Sequence, residues 1–592
     1  MMLGALYDLA QRQRLLDNPD YETKKVDLYL RIDAQGTFLG LEAPGDAVGR
    51  GQPIEVPRMP IRTQAIKSGL LFDNAKYVLG VGKAEDKVER LAQCVLAFSS
   101  EVTRAADATQ DPSVQAVARF MARLPEQRDS IVKRYPFGGP SEWTGSENIA
   151  FRVGQDDTPV HQRSAVRSFF SAQRQASVDS DVGGRMACLV TGEQVIPARL
   201  HPAVKRIPKA QTSGAMLVSF NADAFVSQRL AEGANAPISR AAAEGYVTAL
   251  NWLLERTPTR RYRYGVPIGD DAVMVFWTRE ESQVTDWLTE LLAEGPDAKS
   301  EQRAMARVVE DIESAPWEGR VPDEQNPFYA VTLSGHARVI VRDWLETTAA
   351  EVRRNLQQFL SDLRLGQRPM DLPLPLLLSS LDTKAGKPPV DLLRHVLRSA
   401  FCGDAHPLPR QLLLAALARL RLPAEKNESL LLHRRCALIK AALLRSPLTK
   451  KWEVSVSLDE SNRSVPYLLG RLFAVLEQLQ EAALGGALNT TIRDRFFGAA
   501  STTPGLVFPR LLKLSVHHAA KAEGLGKVLE GTKASIVSGL PAAPLPRLLT
   551  PEEQGLFAIG YYHQRDRRFE KRAVPSVADA DQSGGHARPE SP

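Results

Sequence analysis

The stretch "VDLYLRIDAQGTFLGL", Val26 to Leu41, decides how the first part of the chain folds. Val26, Leu28, Leu30 and Ile32 recur at every second position, the period of a strand that buries one face. "DAQG", Asp33 to Gly36, has the acid and the glycine of a turn, and a second strand starts at Phe38. Further strand-like runs lie outward from this hairpin: "AMLVSF" (Ala215–Phe220), "AVMVFW" (Ala272–Trp277), and "FYAVTLS" with "RVIVRDW" (Phe328–Trp344). Helical patterns separate them, among them "AAAEGYVTALNWLLER" after Ser239.

Beyond Trp344 the apolar period changes from two to about 3.6. "EVRRNLQQFLSDLRL", "RQLLLAALARLRL", "LLLHRRCALIKAALLRS", "PYLLGRLFAVLEQLQEAAL" and "FPRLLKLSVHHAAKAE" follow one another, with breaks such as "DTKAGKPP" and "CGDAHPLP". The stripe Leu468, Leu472, Leu476, Leu479 and Ala483 reads as core packing and carries no chemistry. The expected fold is an α+β N-terminal region followed by an all-α helical bundle, in a multidomain chain. The expected boundaries are a mixed α/β domain over 1–345, a helical connecting region over 346–450, a bundle over 451–572 and a tail over 573–592. The tail's composition buries too little surface to order it.

Length and composition agree with several soluble domains: 592 residues, 43% hydrophobic, 24% charged. A net charge of +6 leans toward an anionic partner, met by a local patch. Cys94, Cys188, Cys402 and Cys436 form no CxxC pair. That predicts neither a cysteine zinc site nor a disulfide framework, and fits a reducing cytoplasm. No run of 18 apolar residues is present, and "LPLPLLLSSL" is broken by prolines, so no membrane span is expected. "MMLGALYDLAQRQRLLDN" reads as the protein's own first helix, without the regions of a signal peptide.

Catalytic patterns fail one by one. "GVGKAEDK" from Gly80 lacks the first glycine of a phosphate loop, where Tyr77 stands, and the Ser or Thr after the lysine, where Ala84 stands. The carboxylate pairs Asp156/Asp157, Asp270/Asp271 and Asp323/Glu324 have no third ligand at a readable spacing. His517 and His518 diverge by about 100° on a helix. No GxSxG elbow supports a serine nucleophile. The expectation is no catalytic residue, no metal and no cofactor. The rival reading is a nucleic-acid-processing enzyme, a metal- or histidine-dependent nuclease.

The basic features carry more. Arg510, Lys513, His517 and Lys521 recur at spacings of three and four, so they share one helix face. Leu511, Leu512 and Ala519 turn elsewhere, and Pro509 suits a first helical position. At about 1.5 Å per residue the row spans roughly 16 Å, enough to follow several phosphates. Arg493 and Arg495 in "TIRDRFFG" precede it, and Lys205, Arg206 and Lys209 gather in "HPAVKRIPKAQTSGAM". A different texture appears in "SGLLFDNAKYVLG", Ser68 to Gly80, where Asp73, Asn74, Lys76 and Tyr77 sit between apolar anchors.

At these residues the chain resembles the large subunit of the type I-C CRISPR Cascade complex, the Csd / Cas-eight-c family. The resemblance rests on "LFDNAKYVLG", "CLVTGE" (Cys188–Glu193), "SGAMLVSFNADAF" (Ser213–Phe225), "NAPIS" (Asn235–Ser239) and "TIRDRFFGAASTTPGLVFPRLLKLSVHH" (Thr491–His518). It implies a cytoplasmic, non-catalytic subunit of an RNA-guided complex that reads a short protospacer-adjacent motif (PAM) on duplex DNA. Promotion of the R-loop, holding of the displaced strand and recruitment of a helicase-nuclease go with it. Its implied partners are the CRISPR RNA-containing Cascade subunits (backbone, crRNA-processing and small subunits), target double-stranded DNA, the displaced single strand and that effector. Asn74 and Lys76 are then candidates to read the PAM, with Tyr77, Lys67, Arg62, Asn235 and Ser239 around them, and Asp73 caps the loop. Arg493, Arg495, Arg510, Lys513 and Lys521, with Lys205, Arg206 and Lys209, are candidates for backbone and displaced-strand contacts.

Overall fold

The computed structural model describes residues 1–16, 20–44, 51–60, 62, 65–134, 143–179, 184–220, 222–293, 298–314, 324–336, 338–366, 368, 373–382, 391–422, 428–446, 452–485 and 491–573. The chain divides into two compact units: Met1–Val204 with Met216–Asn251, and Lys205–Ala215 with Trp252–Pro592.

The first unit contains strands β1 (Tyr21–Val26), β2 (Leu28–Ile32), β3 (Phe38–Glu42), β4 (Gln52–Pro57), β5 (Phe72–Asn74), β6 (Asn148–Val153), β7 (Met186–Ala187) and β8 (Gln194–Val195). Its helices are α1 (Met2–Arg12), α2 (Ala75–Val78), α3 (Val88–Thr109), α4 (Pro112–Ala122), α5 (Leu124–Val132), α6 (Ser164–Asp179) and α7 (Arg240–Leu253). The main sheet has the order β3-β2-β6-β5, with β2 and β6 parallel and the outer pairs antiparallel. Leu28, Leu30 and Ile32 face a core filled by Phe98 and Val102 of α3 and Phe120 of α4. Phe151 of β6 stacks on Phe98 at 6.1 Å and meets Phe120 edge-on at 5.9 Å. Asp111 caps α4 by accepting from Ser113 N, 2.8 Å, and Pro112 takes the first helical position.

The second unit begins with an antiparallel sheet of order β12-β11-β10-β9, from β9 (Gly265–Ile268), β10 (Ala272–Thr278), β11 (Pro327–Gly335) and β12 (Val339–Thr348). The helices are α8 (Gln283–Leu291), α9 (Ala298–Ser314), α10 (Ala349–Leu363), α11 (Leu374–Ser379), α12 (Leu392–Cys402), α13 (Arg410–Leu420), α14 (Glu428–Leu444), α15 (Val465–Leu484), α16 (Ile492–Thr502), α17 (Pro504–Lys521), α18 (Glu523–Ser538) and α19 (Pro551–Ala573). Met274, Phe276, Phe328 and Ala330 share one hydrophobic core with these helices. The buried helix α15 carries the whole predicted stripe, and Leu468, Leu472, Leu476 and Leu479 are fully inside. Gly470 and Gly560 let α15 and α19 touch backbone to backbone. A Cβ on Gly470 would lie 1.9 Å from Phe557 O, and one on Gly560 would lie 2.2 Å from Tyr467 O. Among the described residues no helix is long and apolar enough to cross a membrane.

The chain is thus an α+β region followed by helices. Three local expectations change. Val26 does not share the face of Leu28. The chain breaks at Asp27 between β1 and β2, which resets the alternation, and Val26 joins Tyr29, Val56, Phe72 and Ala150 in a small core on the opposite side. "AMLVSF" forms no strand: Ala215 is buried but 216–220 are only partly so and join no sheet. Alternation makes a strand only where a partner strand bonds to it, and 216–220 have none in the described sheets. Pro509 lies inside α17, because Gly505–Phe508 is already helical and Pro504 takes the first position instead. The tail beyond residue 573, like Asp323, lies outside the described residues.

Candidate nucleic-acid interface

In the first unit, β5 runs antiparallel to β6 and passes directly into the one-turn helix α2. Leu70, Leu71, Phe72, Val78 and Leu79 are buried on either side, as the apolar anchors predict. Asp73 between them is 0% exposed. Its Oδ2 accepts from Gly69 N and its Oδ1 from Asn74 N, each at 2.8 Å. Arg62 closes a two-pronged pair with the same carboxylate, with Nη1 3.0 Å from Oδ1. Burial pushes the Asp73 carboxyl above its ordinary pKa, and the Arg62 hydrogen bonds and charge pull it back.

Arg62 also donates from Nε to Lys67 O, 2.6 Å, and its guanidinium lies 3.9 Å over the Tyr77 ring. Tyr77 is only 7% exposed. Arg62 and Tyr77 therefore form a clamp with Asp73 inside the loop, and Tyr77 is not a surface ring. Asn74 caps α2: its Oδ1 accepts from Lys76 N at 3.2 Å. Asn74 is half-buried, and its Nδ2 has no hydrogen-bond partner among the described residues. Lys76 Nζ reaches Asp86 at 2.7 Å, and the Asp86 Oδ2 accepts from Lys83 N at 2.9 Å. Lys67 is exposed. Sequence reasoning missed Arg128, whose Nε and Nη2 hold Leu79 O and Gly80 O at 2.9 and 2.7 Å and so close the far end of α2.

Asn235 and Ser239 lie on a separate segment of the same unit. Asn235 Nδ2 donates to Leu230 O and Glu232 O at 2.9 and 3.2 Å, so its amide is engaged by its own loop. Ser239 caps α7, its Oγ accepting from Ala242 N at 3.1 Å, and its N–H donates to Cys188 Sγ at 3.3 Å. "CLVTGE" is thus the turn of the β7–β8 hairpin that supports the start of α7. Burial alone would raise the Cys188 thiol, but hydrogen bonds from Thr191, Ser239 and Val190 hold it down at about 7.

In the second unit, Lys205, Arg206 and Lys209 are exposed on the Lys205–Ala215 segment, and Arg206 and Lys209 have left-handed backbone, φ +62° and +57°. Thr491 and Asp494 form a capping box at α16. Arg495 on that helix is exposed. Arg493 is not: it is 4% exposed and its Nη1 lies 2.6 Å from Glu428 Oε1. It is part of the bundle's interior, beside Arg565 and the buried Glu477. Arg510, Lys513, His517 and Lys521 are exposed along α17, while Leu511 faces the core. None of these four has an ionic partner among the described residues, and Arg510 lies 5.5 Å over the Phe496 ring.

Three of the paired carboxylates lie against cations. Asp156 pairs with Arg163 at 2.8 Å, Asp157 with Arg31 at 2.5 Å, and Asp271 lies 3.9 Å from Arg342. No curated protein matches the chain. One family model, described as CRISPR-associated protein (Cas_Csd1), matches residues 3–569. That span holds the described fold except for its first two and last four residues and agrees with the resemblance carried by the motifs: the chain belongs to the Csd1 family of CRISPR-associated proteins.

Proposed function

We propose that this chain is the non-catalytic large subunit of a type I-C CRISPR surveillance complex, and that its first unit recognises the PAM on target duplex DNA. The observation that carries the reading is Asn74. Its amide nitrogen has no partner among the described residues, while the Asp73 carboxylate that holds its N–H is itself held by Arg62, which lies over Tyr77. A rigidly mounted donor is what base-edge readout needs. Lys76, two residues on, and the exposed Lys67, whose carbonyl Arg62 holds, are the cations for phosphate or guanine. The cations of α17, which have no ionic partner among the described residues, fit a second role with Arg495: sequence-tolerant contact with the displaced strand during R-loop formation. The other Cascade subunits, the guide RNA and a helicase-nuclease are the partners in this reading.

The test is duplex binding by the assembled complex. Asn74→Ala and Lys76→Ala each weaken binding to a target with the preferred PAM by about 1–3 kcal/mol and spare targets without it. Equal loss on both kinds of target would remove base readout by this turn.

A further inference from the structure

Between Phe225 and Asn235 the first unit turns back on itself in two residues. Gln228 and Arg229 both have left-handed backbone, φ +51° and +65°. Ser227 and Leu230 exchange backbone hydrogen bonds of 3.3 and 2.7 Å and form an antiparallel bridge. This is the geometry of a type I′ hairpin turn, which Asn-Gly or Gly-Gly adopts readily. Residues with a larger side chain avoid it, because their Cβ crowds the following carbonyl.

The stem below the tip is held firmly. Asn235 Nδ2 donates to Leu230 O and Glu232 O. Glu232 pairs with Arg199 at 2.8 Å. Gly233 packs so closely on the chain that a Cβ there would meet Ala198 O at 2.0 Å. The side chains at the tip are free: Gln228 and Arg229 are exposed and have no side-chain partner among the described residues. Val226, next to them, is 49% exposed.

We infer that the Gln228–Arg229 tip is a second base-reading element for duplex DNA, with Asn235 as its positioning residue rather than a base contact. This rests on the reading of the chain as a PAM recogniser. A strained turn built from two long side chains, where glycine would be unstrained, points to a use for those side chains. A glutamine amide can pair bidentately with an adenine edge and an arginine guanidinium with a guanine edge. A narrow hairpin enters a DNA groove, and a braced stem fixes which base pair it meets. A tip built only to grip phosphate would need cations, not an amide. One built to dock on protein would need more apolar surface than Val226 offers.

The deciding variant is Gln228→Asn with Arg229→Gly, which installs the favoured turn pair and keeps the fold. The assembled complex is incubated with a pool of duplexes randomised at the base pairs flanking the target, and bound molecules are sequenced. The expected result is an unchanged or higher melting temperature of the variant chain, with its preference at one or more flanking positions reduced at least tenfold. Asn235→Ala, which leaves both readers present, reduces the same preference at the same positions. A wild-type complex without any flanking preference would remove the duplex-reading function itself. A preference that survives the Asn–Gly replacement would remove only the hairpin's part in it.

Discussion

The β5–α2 turn and the α17 ridge are both basic, yet their charges are organised in opposite ways. On the turn two cations are engaged by carboxylates of the same unit: Arg62 by Asp73, Lys76 by Asp86. On the ridge Arg510, Lys513, His517 and Lys521 face solvent without an acidic partner among the described residues. A cation held by a carboxylate contributes little net attraction to a polyanion but fixes geometry. An unpaired one contributes charge and leaves geometry loose. The first arrangement suits discrimination between base pairs, the second suits grip that ignores sequence.

The largest effect is expected at Asp73. Asp73→Ala leaves Arg62 without its carboxylate in a mostly buried setting and strips acceptors from Gly69 N and Asn74 N. Removing one partner of a buried pair costs about 3–5 kcal/mol. Urea unfolding of the variant chain should show a loss of that size. Complex that still assembles should lose PAM preference while keeping its salt-dependent hold on single strands. A variant that retains full preference would mean the clamp does not position Asn74.

The ridge is tested by charge. Arg510→Glu, Lys513→Glu and Lys521→Glu together reverse three exposed cations on one face, none of which has an ionic partner among the described residues. Each phosphate contact on single-stranded DNA adds about 0.7 to the slope of log affinity against log salt. The triple variant should lower that slope by about 2 and shorten R-loop lifetime, with PAM preference intact. Arg493→Ala makes an internal control. Its guanidinium sits against Glu428 inside the bundle, so it should lower stability and leave the salt slope unchanged. An unchanged slope in the triple variant would take the ridge out of DNA binding.

What could be read from sequence, and what could not, follows the same division. The strands β10 to β12, the helix series and the anchors around Asp73 were legible because apolar periodicity encodes which side of an element is buried. Asp73 was expected as a cap because a carboxylate facing phosphates is repelled, and it does accept from Gly69 N and Asn74 N, but its full burial was not foreseen. Long-range pairing was not legible. Nothing near Arg493 signals that Glu428 neutralises it, and nothing near Tyr77 signals that Arg62 lies across its ring. "AMLVSF" shows the limit from the other side, because alternation describes a strand only where an edge is free to receive it. The Gln228–Arg229 turn was invisible for a plainer reason: it lacks the Asn or Gly by which such turns are recognised.

The finest test of the comparison is Asp86. The Lys76 ammonium, more than any other group, holds the Asp86 carboxyl below its ordinary pKa, with Lys83 N adding to the effect. A depressed folded-state value means the pairing is present above the ordinary carboxylate range and is lost as pH falls through the folded value. At neutral pH Lys76 is therefore engaged. Asp86→Asn keeps the acceptor for Lys83 N but removes the charge, which converts Lys76 into a free cation of the ridge type. Duplex affinity should rise by a factor of about two to five whatever the flanking sequence, because loss of the Asp86 charge takes the pair from net neutral to +1 beside phosphate. Preference for the PAM should fall, since Lys76 no longer has a fixed direction. Adding Lys76→Ala to Asp86→Asn should cancel the gain. If Asp86→Asn alone changes neither affinity nor preference, Lys76 faces no DNA, and the turn reads through Asn74 alone.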